Sequence, residues 1–204
     1  MRILKKEYRT KGSEVSSTED FSSNDIIDLT DIEGFTPLDV AIMNNNVRAA
    51  AELIEGGADV NVSSDKGDYP NHRPLHLACT KGNRAVTKLL LMQKEKADIH
   101  LTAGKSNTLL HKAVYNGNAG FIRMLVEAIK EHYLESDLEK LLDSKSLDDK
   151  TPLMCAVEDN NADIVEVLID SRPIADQSFL WELFTACMMG LLDMVKLLIS
   201  KQGL

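Results

Sequence analysis

At 204 residues the chain has room for one sizeable domain, and its 23 basic against 32 acidic side chains leave a net charge of −9. That balance weighs against general nucleic-acid binding, which needs clustered Lys and Arg. No apolar run approaches the roughly 18 residues of a membrane span, and Lys5 and Lys6 do not lead into the apolar segment of a secretory signal. Three cysteines without a Cys-x-x-Cys fit a reducing interior, and so a cytoplasmic placement.

Residues 1–25 are polar, with Arg2, Lys5, Lys6, Arg9 and Lys11 leading and Glu14, Glu19, Asp20 and Asp25 following. They read as a flexible tail; the basic cluster also fits a localisation or lipid-docking signal. From Ile27 to Thr36 comes a finger: an apolar start, Asp31 for a turn, Gly34, then a first helix. The second finger, Val60 to Arg73, is four residues longer and presents Tyr69 and His72. It opens onto "RPLHLACTKGNRAVTKLLL" (Arg73–Leu91), a short helix, a glycine stop at Gly82 and a second helix.

Ile99–Thr108 and Leu142–Thr151 are two more fingers of the first one's length. Between them Glu127–Lys150 holds about ten residues beyond a 33-residue period. This stretch predicts an extended second helix, a break near Ser136 with a Ser136–Glu139 capping box, and a short helix carrying Leu138, Leu141 and Leu142. It reads equally as a harmless insertion or a recognition element. From Trp181 the chain stays apolar through Met188, Met189, Leu191, Leu192, Met194 and Leu197, so the last unit looks poorly capped. Either more protein follows or something covers that end.

One register joins these segments. Ala41, Ala78, Ala113, Ala156 and Ala186 each follow a leucine by three residues; Asn45, Gly82, Gly117, Asn160 and Gly190 come four residues later. Leu53, Leu90, Leu125, Leu168 and Leu198 stand eight beyond those. Constant internal spacing with intervals of 37, 35, 43 and 30 residues between alanines marks a stacked repeat. The Gly/Asn place calls for a positive φ at the end of each first helix.

"TPLDVA" (Thr36–Ala41), "RPLHLA" (Arg73–Ala78), "TLLHKA" (Thr108–Ala113) and "TPLMCA" (Thr151–Ala156) resemble the T-P-L-H-x-A signature of ankyrin repeats, with Trp181 and Glu182 departing from it in the fifth unit. "GGADVN" (Gly56–Asn61) and "KADIH" (Lys96–His100) resemble that family's turn into its finger. The resemblance implies an all-α ankyrin-repeat solenoid over 26–204. It has about five helix-turn-helix units, near 27–59, 60–98, 99–141, 142–173 and 174–204, with short β-hairpin fingers.

His76 and His111 occupy the repeat's own histidine place, where a structural role in the first turn is expected. His72 and His76 lack a third ligand. Cys79, Cys155 and Cys187 all fall in first helices and read as buried thiols. No HExxH, GxSxG, P-loop or GxGxxG is present, so the expectation is no enzyme, no metal and no cofactor.

What remains is recognition of a protein partner on the concave face that the resemblance implies. The expected contacts there are Phe35, Met43, Tyr69, His72, Lys81, Tyr115, Asn116 and Glu158, with the chain monomeric or associating through its apolar carboxy-terminal unit. The alternatives are a targeting arm of a larger enzyme, or a bacterial effector working in a host cytoplasm.

Overall fold

The first, third and fourth repeats open at a threonine that caps the first helix. In the computed structural model, which describes residues 26–63, 71–93, 97–172 and 179–201, the first helix α1 (Pro37–Met43) is capped by Thr36. The Thr36 hydroxyl accepts from the Asp39 amide at 3.2 Å while the Asp39 carboxylate accepts from the Thr36 amide at 3.1 Å, a reciprocal box that satisfies two otherwise orphaned donors. Pro37 follows at the one place where a missing amide costs nothing.

The chain then reverses in two residues. Asn45 has φ 52°, and Asn46 caps α2 (Val47–Glu55) by accepting from the Ala49 amide at 3.1 Å. The same reversal joins α3 (Pro74–Lys81) to α4 (Arg84–Met92) through Gly82 and Asn83. It joins α5 (Leu109–Asn116) to α6 (Ala119–His132) through Gly117 and Asn118. It joins α8 (Pro152–Glu158) to α9 (Ala162–Asp170) through Asn160 and Asn161. In the last repeat Gly190 turns α10 (Leu180–Met188) into α11 (Leu192–Lys201). All five Gly/Asn places have φ between 51° and 78°.

The residue after each turn reaches back to the repeat alanine. Asn46, Asn83, Asn161 and Leu191 donate their amides to the carbonyls of Ala41, Ala78, Ala156 and Ala186 at 2.8–3.1 Å. These are Schellman closures, which consume carbonyls that the helix end leaves free. The asparagine side chains that cap the second helices accept from amides inside the first turn, a contribution of about 1 kcal/mol each, and the sequence shows them as an Asn directly after the turn residue in the first four repeats.

Packing divides the chain into two compact bodies, one ending at Asp98 and one beginning at Ile99. In the first, α1 packs on α2 and α3, and α4 packs on α3 and α2. Leu38, Ala41, Leu75, Ala78, Val86, Leu90 and Leu91 are its buried residues of the repeat register, whereas Leu53 is only half-buried. In the second, α5 and α6 pack on α8 and α9, which pack in turn on α10 and α11. Leu110, Ala113, Leu125, Leu153, Ala156, Leu168, Ala186 and Leu198 are buried there and Leu183 is half-buried.

The long stretch after Leu125 is a packed element. α6 runs on to His132, Tyr133 and Leu134 break it, and α7 (Glu135–Asp143) follows. Ser136 therefore lies inside the first turn of α7, two residues too late to cap it. The Leu134 amide is met by the Asp137 carboxylate at 3.3 Å instead. Leu138, Leu141 and Leu142 are buried as α7 packs against α5, α6 and α8. Burial of three leucines rules out a loop that could be trimmed without loss.

The fingers are tight hairpins closed by single bridges. Asp31 and Phe35, Ala103 and Asn107, and Ser146 and Lys150 each pair through backbone hydrogen bonds of 2.9–3.0 Å. The residue before each closing position has positive φ: Gly34, Ser106 and Asp149, with Asn71 at the same place before His72. In the fifth repeat α10 begins at Leu180, ahead of the Trp181–Glu182 positions, because no Thr-Pro pair stops it there. The amino-terminal tail and Tyr69 lie outside the described residues.

A Cβ built on Gly117 meets nothing within 4 Å, so substitution there costs backbone strain alone. Gly117→Val should lower stability by about 1–3 kcal/mol, and Gly117→Asn clearly less, since asparagine tolerates the left-handed region. Equal losses of urea midpoint for the two variants would refute this account of the turn.

Candidate functional site

The outward side of the second body is assembled around Thr108. Its amide and hydroxyl meet His111 Nδ1 at 3.3 and 2.9 Å, while His111 Nε2 donates to the Lys150 carbonyl at 2.9 Å. A donor at Nε2 and an acceptor at Nδ1 define the neutral tautomer. Burial, which holds the imidazole pKa below its ordinary value, keeps it so. The expected structural role of this histidine is thus seen directly: it joins the first turn of the third repeat to the finger of the fourth.

Lys150 is positioned by that bond. Its Nζ reaches Glu158 Oε2, near the end of α8, at 2.6 Å. The hydrogen bond raises the lysine's pKa. Beside the pair stands Tyr115, 51% exposed, with its hydroxyl 3.8 Å from Cys155 Sγ. Desolvation, the Cys155 contact and the carboxylates of Asp148 and Asp159 all raise the phenol's pKa, so it stays a neutral donor and acceptor. Asn116 is half-buried one residue on. Tyr115, Asn116, Lys150 and Glu158 therefore make one ledge with an aromatic plate, an amide and a neutralised ion pair.

The first body carries the other expected contacts separately. Met43 is half-buried at the end of α1 and Lys81 exposed at the end of α3. Phe35 and His72 are buried, which corrects their reading as outward contacts. In the place before the helix cap Phe35, His72 and Asn107 are buried at the hairpin root, whereas Lys150 keeps its ammonium group at the surface. The Phe35 amide is held by Asp31 Oδ1 at 3.0 Å. The exposed apolar finger residues are instead Ile32 and Leu147, each directly after the residue that opens its hairpin.

Repeat junctions carry a second set of residues that sequence reading missed. The position after each finger's apolar start bonds to a group 29 to 37 residues on. Asp28 accepts from the Asp59 amide at 2.9 Å and Asn61 from the Asp98 amide at 2.8 Å. His100 meets Asp137 at 3.2 Å, and Asp143 pairs with Arg172 at 2.9 Å. Arg172 also donates to the Leu142 carbonyl at 3.2 Å, gripping the end of α7 where cations suit the helix dipole. The only sequence signal was a polar residue recurring after an apolar one.

Cys79 and Cys155 are buried, and desolvation raises both thiols' pKa. Cys187 is exposed, correcting the expectation that all three are buried. Among the described residues no group of three His, Cys, Asp or Glu is placed to hold a metal. Nor is any described helix long and apolar enough to cross a membrane.

Helix pairs reversed by a left-handed residue, with hairpin fingers between them, define an α-helical repeat protein. The chain belongs to the ankyrin-repeat family: models of ankyrin repeats match residues 38–91, 75–178 and 128–204. It is 28% identical over 175 residues to ankyrin repeat protein nuc-2 of Neurospora crassa, covering 84% of this chain and 15% of that protein. It is 32% identical over 95 residues to NF-kappa-B inhibitor alpha of Sus scrofa (45% and 29%) and 28% identical over 203 residues to human inversin (69% and 19%). The chain spans less than a third of the length of these relatives.

Glu182 supplies a test of the fifth repeat. It is buried on α10, and desolvation raises its pKa above the ordinary 4.5, against the pull of Arg172 and Thr151. A raised folded pKa contributes stability that is present below the unfolded value and lost as pH rises through the folded one. Glu182→Gln should therefore melt higher than the parent at pH 7, with the gap closing towards pH 4. A gap of constant size across that range would show that folding does not shift the Glu182 pKa.

Proposed function

We propose that this chain is a non-enzymatic recognition module that binds a partner protein through the outward side of its first helices and fingers. The observation carrying this reading is Tyr115. A half-exposed aromatic ring, seated on Cys155 and flanked by the Lys150–Glu158 pair, offers apolar area together with a polar tip. Tyrosine is enriched at interfaces for that reason. Asn116 beside it supplies an amide, and in the first body Met43 and Lys81 occupy corresponding outward positions.

Packing holds all of these before a partner arrives, so docking forfeits little ordering entropy. Ankyrin repeats generally mediate protein–protein interaction, and the family membership supports the same conclusion.

The first experiment is to capture partners on the intact chain and titrate the strongest. Tyr115→Ala should weaken that complex roughly thirtyfold or more, about 2 kcal/mol, while leaving the melting temperature nearly unchanged. Binding within about twofold of the parent, which is the scale of an energetically neutral contact, would sink the choice of face. Substituting the exposed Glu139 and Lys140 tests α7 as the alternative element, since deleting that helix would also remove buried leucines.

A further inference from the structure

The turn edge of the first body breaks a rule that the last two repeats keep. Arg48 stands in the first turn of α2 and Arg84 opens α4, and neither helix has an acidic residue in its first turn. The fourth and fifth repeats place Asp163 and Asp193 at the register position of Arg48. The amides and dipole of a helix start favour a negative charge there and oppose a positive one. The fold gains nothing from these two arginines.

Lys88 lies one turn after Arg84 on α4, and Lys81 ends α3. The helix dipole accounts for Lys81, since a cation suits a carboxy-terminal turn, but not for the others. Arg48, Lys81, Arg84 and Lys88 are all exposed. α1 packs on α3 and α2 on α4, so the two reversals that carry these side chains are neighbours. From Val40 to Ala51 and from Asn71 to Gln93 the chain holds no Asp or Glu, in a protein whose net charge is −9. Glu52 and Glu55 lie in later turns of α2. Among the described residues no ion pair engages Arg48, Arg84 or Lys88. The caps Asn46 and Asn83 already hold the first-turn amides of Ala49 and Val86. A ligand at this edge therefore meets the cationic side chains rather than the helix ends.

We propose that this edge docks an acidic segment of a partner protein. Cations gathered on two adjacent repeats attract carboxylates, and their field steers the encounter. The planar fork of arginine pairs with both oxygens of a carboxylate at once. The rest of the chain selects for a short anionic occupant. Its excess of carboxylates repels a long polyanion such as nucleic acid or an extended anionic membrane, whereas an acidic peptide segment touches the edge alone. The site stands on residues other than those of the Tyr115 ledge, so neither reading depends on the other.

A labelled oligoglutamate peptide titrated against the intact chain tests this. The parent should bind it, with affinity falling as salt rises. Arg48→Glu, Arg84→Glu and Lys88→Glu should each weaken binding roughly tenfold or more. Arg48→Glu and Arg84→Glu should at the same time raise the melting temperature, because a carboxylate suits a helix amino terminus; a merely structural role would lower it. Lys196→Glu on α11 makes the same change of net charge and should bind within about twofold of the parent.

No binding at low salt overturns the proposal. Equal weakening by Lys196→Glu does so too, since net charge alone would then set the affinity. Tighter binding of single-stranded DNA, or of vesicles rich in anionic lipid, assigns the edge to a different partner. Self-association that Arg84→Glu abolishes assigns it to a second copy of this chain. Either result excludes an acidic protein segment as the occupant.

Discussion

The left-handed residue four positions after the repeat alanine is the constraint on which the rest depends. It ends the first helix abruptly and aims the next residue's amide back at the alanine carbonyl, so two helices are joined with no slack. With the turn fixed, the leucine three residues before the alanine and the leucine twelve residues after it are set against one another. A looser connection would let the second helix rotate and carry its apolar stripe out of register. Alanine at the centre keeps the backbones close, and all five alanines are buried. Within each body, each helix pair also packs its apolar side chains on the next pair. The pair therefore needs its neighbours, and the polar ties between repeats hold them at a set spacing.

Those ties follow one logic with varied chemistry. Where the third repeat meets the fourth, a buried neutral imidazole spans the junction and satisfies Thr108 and the Lys150 carbonyl together. The first repeat has Asp39 at the same position, and its carboxylate turns inward to close its own cap. Burial works against the charged form in both: it lowers the histidine's pKa and raises the aspartate's. A neutral histidine can donate and accept at once, so it reaches the neighbouring repeat. An aspartate only accepts, so it stays local.

How much of this was legible in the sequence depended on the range of the interaction. The turn residues were readable because alternation of glycine and asparagine at a fixed place has one backbone explanation, and all five take positive φ. Leu75, Leu110 and Leu153 were readable from helical spacing alone. Phe35 and His72 were misjudged because a hairpin's closing residue and its tip differ by only a few positions, while its inward or outward sense is set by tertiary packing. The junction partners of Asp28, Asn61, His100 and Asp143 were invisible, since each lies 29 to 37 residues away. Ser136 looked like a cap because the box motif is short; the helix begins at Glu135, and Asp137 meets the Leu134 amide instead.

The two surfaces of the second body differ in a way that separates their roles. The ledge of Tyr115, Asn116, Lys150 and Glu158 mixes an aromatic face with satisfied polar groups, so it can stand in water without penalty and still offer hydrogen bonds to an arriving partner. The end face of the fifth repeat has no such compensation. On α10 the one carboxylate, Glu182, is buried, and desolvation raises its pKa. Because α10 packs on α8, where Cys155 and Glu158 stand, the fifth repeat also steadies the floor of the ledge.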